Sequence, residues 1–355
     1  MNLQLIKIGG RRVGAGEPCF IIAEAGVNHN GRLEMARRLV DIAVQAGADA
    51  VKFQTFKAEE VVTKNADKAA YQKETTGTQE SQYEMIKKLE LSEEKHVKLK
   101  GYADEQNILF LSTPYDKPSV DFLSQLGVTA FKISSADITN HPLLSHVAAK
   151  KLPIILSTGM STLGEIEEAL EVIANSGNNQ VILLHCNFNY PARVEDVNLR
   201  AMVTLKQAFG FPVGYSDHTL GIEVSLAAVA LGAVVIEKHF TLDRNLPGPD
   251  HRASLEPAEL KEMVTKIRNI EKALGSGIKQ PCGPEIENRL ISRRSLVAGT
   301  NIKEGTIITR EMLKLKRPGT GIPPKYFNNV VGSKAIKSIR QDELITWDMI
   351  ETIDC

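Results

Sequence analysis

The chain has 355 residues, with 43 basic and 43 acidic side chains and no formal net charge. No overall field would therefore draw it to nucleic acid or to an anionic membrane, and an anionic ligand must be bound by a local cluster of charge. The sequence contains no apolar run near the roughly 18 residues of a membrane span and no signal-peptide pattern, so we expect a cytoplasmic protein.

Eight short apolar or β-branched runs, each followed by a stretch of helical periodicity, extend along most of the chain. The runs are FIIAE (20–24), ADAVKFQ (48–54), ILFLST (108–113), AFKISS (130–135), PIILSTG (153–159), QVILLHC (180–186), FPVGYS (211–216) and AVVIEKH (233–239). Strands that alternate with helices predict a parallel sheet, and eight such units in about 250 residues predict an α/β fold of the (β/α)8 TIM-barrel type. A doubly wound open sheet is the alternative, but no G-x-G-x-x-G motif follows the first strand.

The connections between these strands differ in length and pattern. Residues 31–47 predict an amphipathic helix with Gly47 as its C-cap, and residues 161–177 predict a helix that begins at Ser161. Residues 55–107 form a polar connection about twice the usual length. Long connections at the carboxyl rim of a barrel often cover the active site, which we expect here; a solvated surface excursion is the alternative.

The periodic pattern stops in a stretch rich in Gly and Pro after residue 275. Short strands, a KEG turn and a Pro/Gly-rich loop follow, and too few residues remain for a second barrel. We predict a TIM-barrel catalytic domain over 1–280, including an N-terminal extension over 1–19. A linker over 281–290 and a small, mostly β domain over 291–355 complete the prediction.

Polar side chains end the eight predicted strands, and in a barrel these ends meet at one catalytic rim. They include Glu24, Lys52, Gln54, Lys132, Ser135, Asp137, Ser157, Ser216 and Glu237. Two lysines with several hydroxyls suit a phosphate or carboxylate group. A structural salt bridge is the alternative role for the lysines.

Two histidines, His218 and His239, end adjacent predicted strands. Two imidazoles completed by water are typical of an open divalent site such as Mn²⁺, whereas buried core histidines are the alternative. A loop stiffened by Pro and Gly, NLPGPDHRAS (245–254), carries Asp250. We expect a metal at the paired histidines.

Longer motifs along nearly the whole chain resemble those of the bacterial sialic acid synthases, which include N-acetylneuraminate, legionaminate and pseudaminate synthases. The motifs are IIAEAGVNHNG (21–31), VKFQTFKAEEVV (51–62), STPYD (112–116), FKISSADITNHPLL (131–144), ILSTGMST (155–162), LLHCNFNYPARVEDVNL (183–199), GYSDHTLG (214–221), IEKHFTLDRNLPGPDHRASLEP (236–257) and KRPGTGI (316–322). The resemblance implies a TIM barrel followed by a small antifreeze-like (SAF) domain.

The resemblance also implies a reaction. The family condenses phosphoenolpyruvate with an N-acetylmannosamine-type sugar and releases phosphate by C–O cleavage. We expect N-acetylneuraminate synthesis from N-acetylmannosamine, with N,N'-diacetyllegionaminate synthesis from 2,4-diacetamido-2,4,6-trideoxymannose as the alternative. A Schiff-base sugar aldolase or lyase and a non-catalytic carbohydrate-binding protein are further alternatives.

By resemblance, Glu24 is the general acid/base and Asp250 lies near the sugar aldehyde. The implied phosphoenolpyruvate ligands are Lys52, Gln54, Lys132, Ser135, Ser157 and Ser216. Asp137 and Tyr190 match other pocket positions, and His218 and His239 match the ligands of a divalent metal, expected to be Mn²⁺ with Mg²⁺ or Co²⁺ as alternatives. Arg317 would reach into the barrel of a second subunit and hold the N-acetyl end of the sugar, which implies a domain-swapped homodimer.

One position departs from the family pattern. Phe188 stands where family members commonly have a small polar residue. An apolar side chain there would favour a less polar substituent on the sugar.

Overall fold

The computed structural model describes residues 4–351. Residues 1–3 and 352–355, the ends of the predicted extension and of the predicted small domain, lie outside this range. The chain divides into two compact units between Gly275 and Ser276. Within residues 4–351, no helix is both long and apolar enough to cross a membrane.

The first unit begins with an antiparallel hairpin of β1 (Ile6–Ile8) and β2 (Arg11–Val13). Eight parallel strands follow: β3 (Phe20–Gly26), β4 (Ala50–Thr55), β5 (Leu109–Pro114), β6 (Phe131–Ile133), β7 (Ile154–Ser157), β8 (Val181–Cys186), β9 (Val213–Asp217) and β10 (Val235–His239). They are hydrogen-bonded in the order β5-β4-β3-β10-β9-β8-β7-β6, and β5 and β6 at the two ends lie side by side. The predicted TIM barrel is therefore confirmed.

Helices cover the outside of the barrel or build its connections. They are α1 (Leu33–Ala46), α2 (Ala58–Val61), α3 (Ala70–Thr76), α4 (Gln82–Lys87), α5 (Glu93–Glu105), α6 (Lys117–Leu126), α7 (His141–Ala148), α8 (Leu163–Asn175), α9 (Ala201–Phe209), α10 (Glu223–Ala230) and α11 (Pro257–Leu274). Helix α1 ends at Gly47, whose φ of 79° is left-handed as a glycine C-cap requires.

The start of α8 differs from the prediction by one residue. Thr162, not Ser161, is the N-cap, because its hydroxyl accepts a hydrogen bond from the backbone of Glu165 while the Glu165 carboxylate accepts one from the backbone of Thr162. This reciprocal pair is a capping box.

The interior of the barrel is apolar below the rim. The buried side chains Ile6, Ile8 and Val13 of the hairpin belong to one cluster with Phe20 and Val235 at the amino ends of strands. The hairpin therefore covers the end of the barrel opposite the polar rim, and the larger apolar cluster lies between the strands and the helices.

The second unit has its own apolar core, which includes Leu296, Ile308 and Ile345. Its elements are α12 (Gly283–Ser292), β11 (Ser295–Ala298), β12 (Leu313–Lys316), α13 (Phe327–Val330), β13 (Lys334–Ala335) and β14 (Ile350–Glu351). Helix α12 occupies most of the predicted linker, a stretch for which the sequence pattern predicts no helix, and all of its residues are exposed. Proline is tolerated in a first helical turn, and the Glu285 carboxylate there accepts a hydrogen bond from the backbone of Cys282.

Candidate active site

The carboxyl ends of the strands surround a narrow inner chamber. Because parallel barrel strands end at the same rim, residues far apart in the sequence converge there. Most of the residues predicted for the site line this chamber: Glu24, Lys52, Gln54, Lys132, Ser135, Ser157, Tyr190, Ser216, His218 and His239.

Two lysines and two glutamates form one buried charge cluster in the inner chamber. The Lys52 ammonium lies 2.9 Å from the Glu24 carboxylate and 3.8 Å from that of Glu237. Lys132 lies 3.6 Å from the Glu237 carboxylate and donates a hydrogen bond to Ser157 Oγ at 2.6 Å. Opposite charges in mutual contact allow these four ionisable groups to be buried together.

The cluster separates the proton affinities of its two carboxylates. Burial raises the pKa of Glu24 to about 7, although the Lys52 ammonium acts in the opposite direction. Burial acts the same way on Glu237, but the Lys132 and Lys52 ammonium groups outweigh it and lower its pKa. Glu24 can therefore gain or lose a proton near neutral pH while Glu237 stays an anion.

A close approach of the backbone holds the Ser135 hydroxyl at the wall of the chamber. The N–H of Gly159 donates to Ser135 Oγ at 2.9 Å, and a Cβ at Gly159 would lie at the same short distance from that oxygen. Glycine is required here for space. The Ser135 hydroxyl also lies 3.1 Å from the Cys186 thiol.

The two histidines face the same chamber, with ring centroids 5.7 Å apart. His218 Nδ1 donates to the carbonyl of Asn187 at 2.5 Å, which leaves the lone pair on Nε2, 3.4 Å from the Ser216 hydroxyl. His239 Nδ1 is buried without a hydrogen-bond partner among residues 4–351. The Tyr190 ring packs on His218 at 4.2 Å and on His239 at 5.5 Å between centroids.

These imidazoles fit a divalent cation. Burial lowers the pKa of His218 to about 4 and that of His239 well below its usual value, so both rings are neutral, the form that binds metal. The hydrogen bond from His218 Nδ1 to a carbonyl is the usual support of a metal-binding histidine. Over residues 4–351, no group of three or more His, Cys, Asp or Glu side chains is arranged to hold a metal, so a cation at the two imidazoles would need water or substrate as its remaining ligands.

A larger outer chamber of about 430 Å³ lies next to the inner one and shares Gln54, Tyr190 and His239 with it. The long connection predicted to cover the site supplies one wall. Its aliphatic and Phe members are Phe56, Val61, Val62, Met85, Ile86 and Leu89, and Glu60, Gln72 and Gln82 are polar members of the same wall. Tyr71 of the same connection packs on Tyr190 at 5.3 Å between ring centroids. This connection is therefore a wall of the site and not a separate surface excursion.

Both predicted aspartates line the outer chamber. Asp137 accepts a hydrogen bond from Asn140 through Oδ1, while its Oδ2 is buried without a partner among the described residues. Burial raises the pKa of Asp137 and raises that of Asp250 to about 6. The outer chamber thus presents two carboxyl groups beside its apolar wall.

Arg317 lies in the second unit, directly after β12, where its side chain is exposed. It lines a surface depression of that unit together with Lys316 and Asp342. Its predicted role in the barrel of another subunit stays a prediction.

Several side chains in the chambers have no role predicted from the sequence. Glu237 joins both lysines and accepts a hydrogen bond from Ser216 at 3.2 Å. The sequence places Glu237 among the polar strand ends, and period-two alternation puts it on the same face as His239, but the pattern does not show that it contacts both lysines. Tyr115 directly follows β5, so its position at a strand end could have indicated it as well. Tyr71 carries no comparable signal, because it lies on α3 of the long connection.

The comparisons with known proteins agree with this geometry. A model of the NeuB family matches residues 39–279, and a model of the SAF domain matches residues 293–351. The chain belongs to the NeuB family. The family and the enzyme class predicted from the sequence, a nonulosonic acid synthase of the transferase type, are thereby confirmed.

Three individual relatives are informative. The N,N'-diacetyllegionaminic acid synthase of Legionella pneumophila is 51% identical over 350 residues, with 97% of this chain and 98% of the relative covered. That of Campylobacter jejuni is 54% identical over 328 residues, covering 92% and 98%. The crystal structure of the N-acetylneuraminic acid synthetase of Leptospira borgpetersenii, in complex with citrate, has a TM-score of 0.71 at 40% identity and covers 81% of this chain and 95% of that one.

Proposed function

We propose that this enzyme is an N,N'-diacetyllegionaminate synthase, which condenses phosphoenolpyruvate with 2,4-diacetamido-2,4,6-trideoxymannose and water and releases phosphate. The observation that carries the reaction class is the convergence of Lys52, Lys132 and several hydroxyls beside two neutral imidazoles. The observation that favours this sugar is the apolar wall of the outer chamber.

The inner chamber suits phosphoenolpyruvate because the ligand is anionic at both ends. Lys52 and Lys132 supply positive charge, and Ser135, Ser157 and Ser216 supply hydroxyl groups within the same walls. Ammonium groups bind phosphate as point charges, and hydroxyls add directed hydrogen bonds. A neutral protein can in this way hold an anion in one place.

Carbon–carbon bond formation joins C3 of phosphoenolpyruvate to the sugar aldehyde, water adds at C2, and phosphate leaves with the bridging oxygen. Glu24, whose pKa of about 7 suits proton transfer, takes the proton of the water. Asp250, with a pKa raised to about 6, is placed in the outer chamber to exchange a proton with the sugar oxygen. A divalent ion at His218 and His239 would supply Lewis-acid polarisation of the aldehyde oxygen.

The outer chamber supports the less polar sugar. Phe188 packs edge-on to Tyr190 at 5.7 Å between centroids and faces the chamber whose wall includes Met85 and Leu89. A deoxygenated carbon gains from apolar contact, whereas the hydroxyl of N-acetylmannosamine would lose hydrogen bonds to water there. The 51% and 54% identity to two legionaminic acid synthases supports the same choice. N-acetylneuraminate synthesis, expected from the sequence, is the competing outcome.

The test is phosphate release from phosphoenolpyruvate with each of the two sugars, in metal-free buffer and with added Mn²⁺, Mg²⁺ or Co²⁺. We expect a higher kcat/KM for the diacetamido sugar, formation of a nine-carbon keto acid by mass spectrometry, and loss of activity with chelator. Phe188→Ser should reduce the preference about tenfold, the scale of one lost apolar contact, whereas the apolar variant Phe188→Leu should keep it. Equal or reversed sugar preference in the wild type would contradict the assignment, and a borohydride-trapped pyruvate adduct would indicate a Schiff-base enzyme instead.

A further inference from the structure

A buried ion pair lies behind the two histidines, outside both chambers. Lys238 Nζ is 2.9 Å from Asp217 Oδ2, and both side chains are 0% exposed. Neither residue lines the inner chamber, although Ser216, His218, Glu237 and His239 all do. The pair therefore belongs to the opposite face of the same two strands.

The position of the pair in the sheet links it to the histidines. Asp217 and Lys238 are register partners in the parallel pairing of β9 and β10. Each immediately precedes one histidine, since Asp217 is followed by His218 and Lys238 by His239. The ion pair thus joins the two strands one residue before the point at which each presents its imidazole.

The pair is also fixed to the backbone around His218. Asp217 Oδ1 accepts hydrogen bonds from the backbone N–H and the hydroxyl of Thr219, at 2.9 Å and 2.7 Å, and Oδ2 accepts one from Ser225 of α10 at 2.6 Å. Lys238 Nζ donates to the carbonyl of Thr219 at 2.5 Å. Asp217 and Thr219, on either side of His218, therefore both bond to Lys238, the residue that precedes His239.

A stability role alone does not account for this arrangement. Burying two charges costs desolvation that their attraction only roughly offsets, and apolar residues of similar volume often serve a fold equally well. The directional bonds of this pair instead constrain how the two strand ends lie relative to each other.

We propose that Asp217 and Lys238 are positioning residues that set the separation and orientation of the His218 and His239 imidazoles for a divalent cation. The inference rests on the metal site of the proposed function. Groups that orient metal ligands from behind typically change metal affinity by about 10–100-fold when they are removed.

The test measures Mn²⁺ binding to the full-length protein without substrates, from the electron paramagnetic resonance signal of the free ion. Lys238→Met leaves the Asp217 carboxylate with three neutral donors but no counter-ion. The double variant Asp217→Asn/Lys238→Met removes both charges and therefore tests the same role without an uncompensated buried charge. We expect each to bind Mn²⁺ about 10–100-fold more weakly, while circular dichroism shows a folded protein.

The matched control is Arg268→Met, which removes a 2.8 Å ion pair with Asp49 at the start of β4, away from the rim. It should lower the melting temperature and leave Mn²⁺ affinity unchanged. The positioning role alone would be overturned if a folded Lys238 variant bound Mn²⁺ with wild-type affinity. It would also be overturned if the Arg268 variant lost as much Mn²⁺ affinity as the Lys238 variant. A wild-type protein that binds no Mn²⁺ would overturn the metal site and the positioning role together.

Discussion

At the scale of single residues, two glutamates in one chamber have different environments and therefore different chemistry. Glu24 contacts one ammonium group, at 2.9 Å, whereas Glu237 lies between two and also accepts a hydrogen bond from Ser216. More positive charge around Glu237 lowers its pKa, and burial dominates at Glu24 and raises it. Pairs of carboxyl groups with separated pKa values are typical of acid/base sites.

We therefore predict that Glu24→Gln lowers kcat by roughly 10²–10⁴-fold, the usual contribution of a general acid/base. The KM for phosphoenolpyruvate should change much less, because the amide keeps the shape of the side chain and both lysines remain. Steady-state kinetics at saturating metal measure the two parameters separately. An effect confined to KM would contradict the acid/base role.

The same scale shows what the sequence could and could not predict of the site. Alternation along β9 places Ser216 on the chamber side and Asp217 on the other, which a reader of GYSDHT can deduce. Tyr71 is different: it packs on Tyr190 at the histidines from a connection that has no strand periodicity. For a side chain on an irregular connection, the sequence does not predict whether it lies at the rim, because that depends on the path of the connection.

At the scale of elements, the connection that walls the outer chamber is held by one buried lysine. Lys68 donates hydrogen bonds to the Thr76 hydroxyl at 2.9 Å, the Gly77 carbonyl at 3.1 Å and the Glu80 carboxylate at 3.1 Å. These bonds close the loop around α3, the helix that carries Tyr71. The position of the wall thus depends on contacts remote from the chemistry.

We predict that Lys68→Met loosens this wall. Hydrogen bonds to a charged group contribute about 1.5–3 kcal/mol each, so the loss of even one should make local opening of α3 roughly 10–10²-fold more frequent. Hydrogen exchange should accelerate in residues 69–77, and the KM for the sugar should rise more than that for phosphoenolpyruvate. The control is Lys88→Met, because exposed Lys88 pairs with the same Glu80 and exposed pairs contribute little. Equal effects of the two variants would contradict the anchoring role.

Elements with a strong apolar pattern were predictable, and those set by local hydrogen bonds were less so. The eight strands follow from buried runs between helices, and their observed bounds lie close to the predicted ones. The sequence pattern does not predict helix α12, because the Gly and Pro of its first turn are typical of a linker and only the observed bond from the backbone of Cys282 to Glu285 shows the helix start. Thr162 and Ser161 are equally good N-cap residues by type, and only the observed bonds to Glu165 distinguish them.

At the scale of the whole molecule, the chain consists of two units with separate apolar cores. The predicted domain-swapped homodimer would give the second unit a substrate-binding role through Arg317, which is exposed within its own unit. In a two-fold dimer of that kind, each active site combines the barrel of one subunit with Arg317 from the other. One substitution in each unit can distinguish this dimer from an assembly in which each chain forms a complete active site from its own residues.

We predict that His239→Ala and Arg317→Ala variants complement each other. A mixed dimer has one subunit of each variant. The barrel of the Arg317→Ala subunit keeps His239 and would receive Arg317 from the His239→Ala subunit, so one of the two sites is complete. Co-expression with two affinity tags and purification through both isolates the mixed dimer, which should recover about half of the wild-type activity per dimer if the two-fold sites act independently. Each variant alone should show far lower activity with the sugar at a fixed, subsaturating concentration. A doubly purified mixed dimer no more active than the average of the two variants would show that Arg317 does not act across subunits.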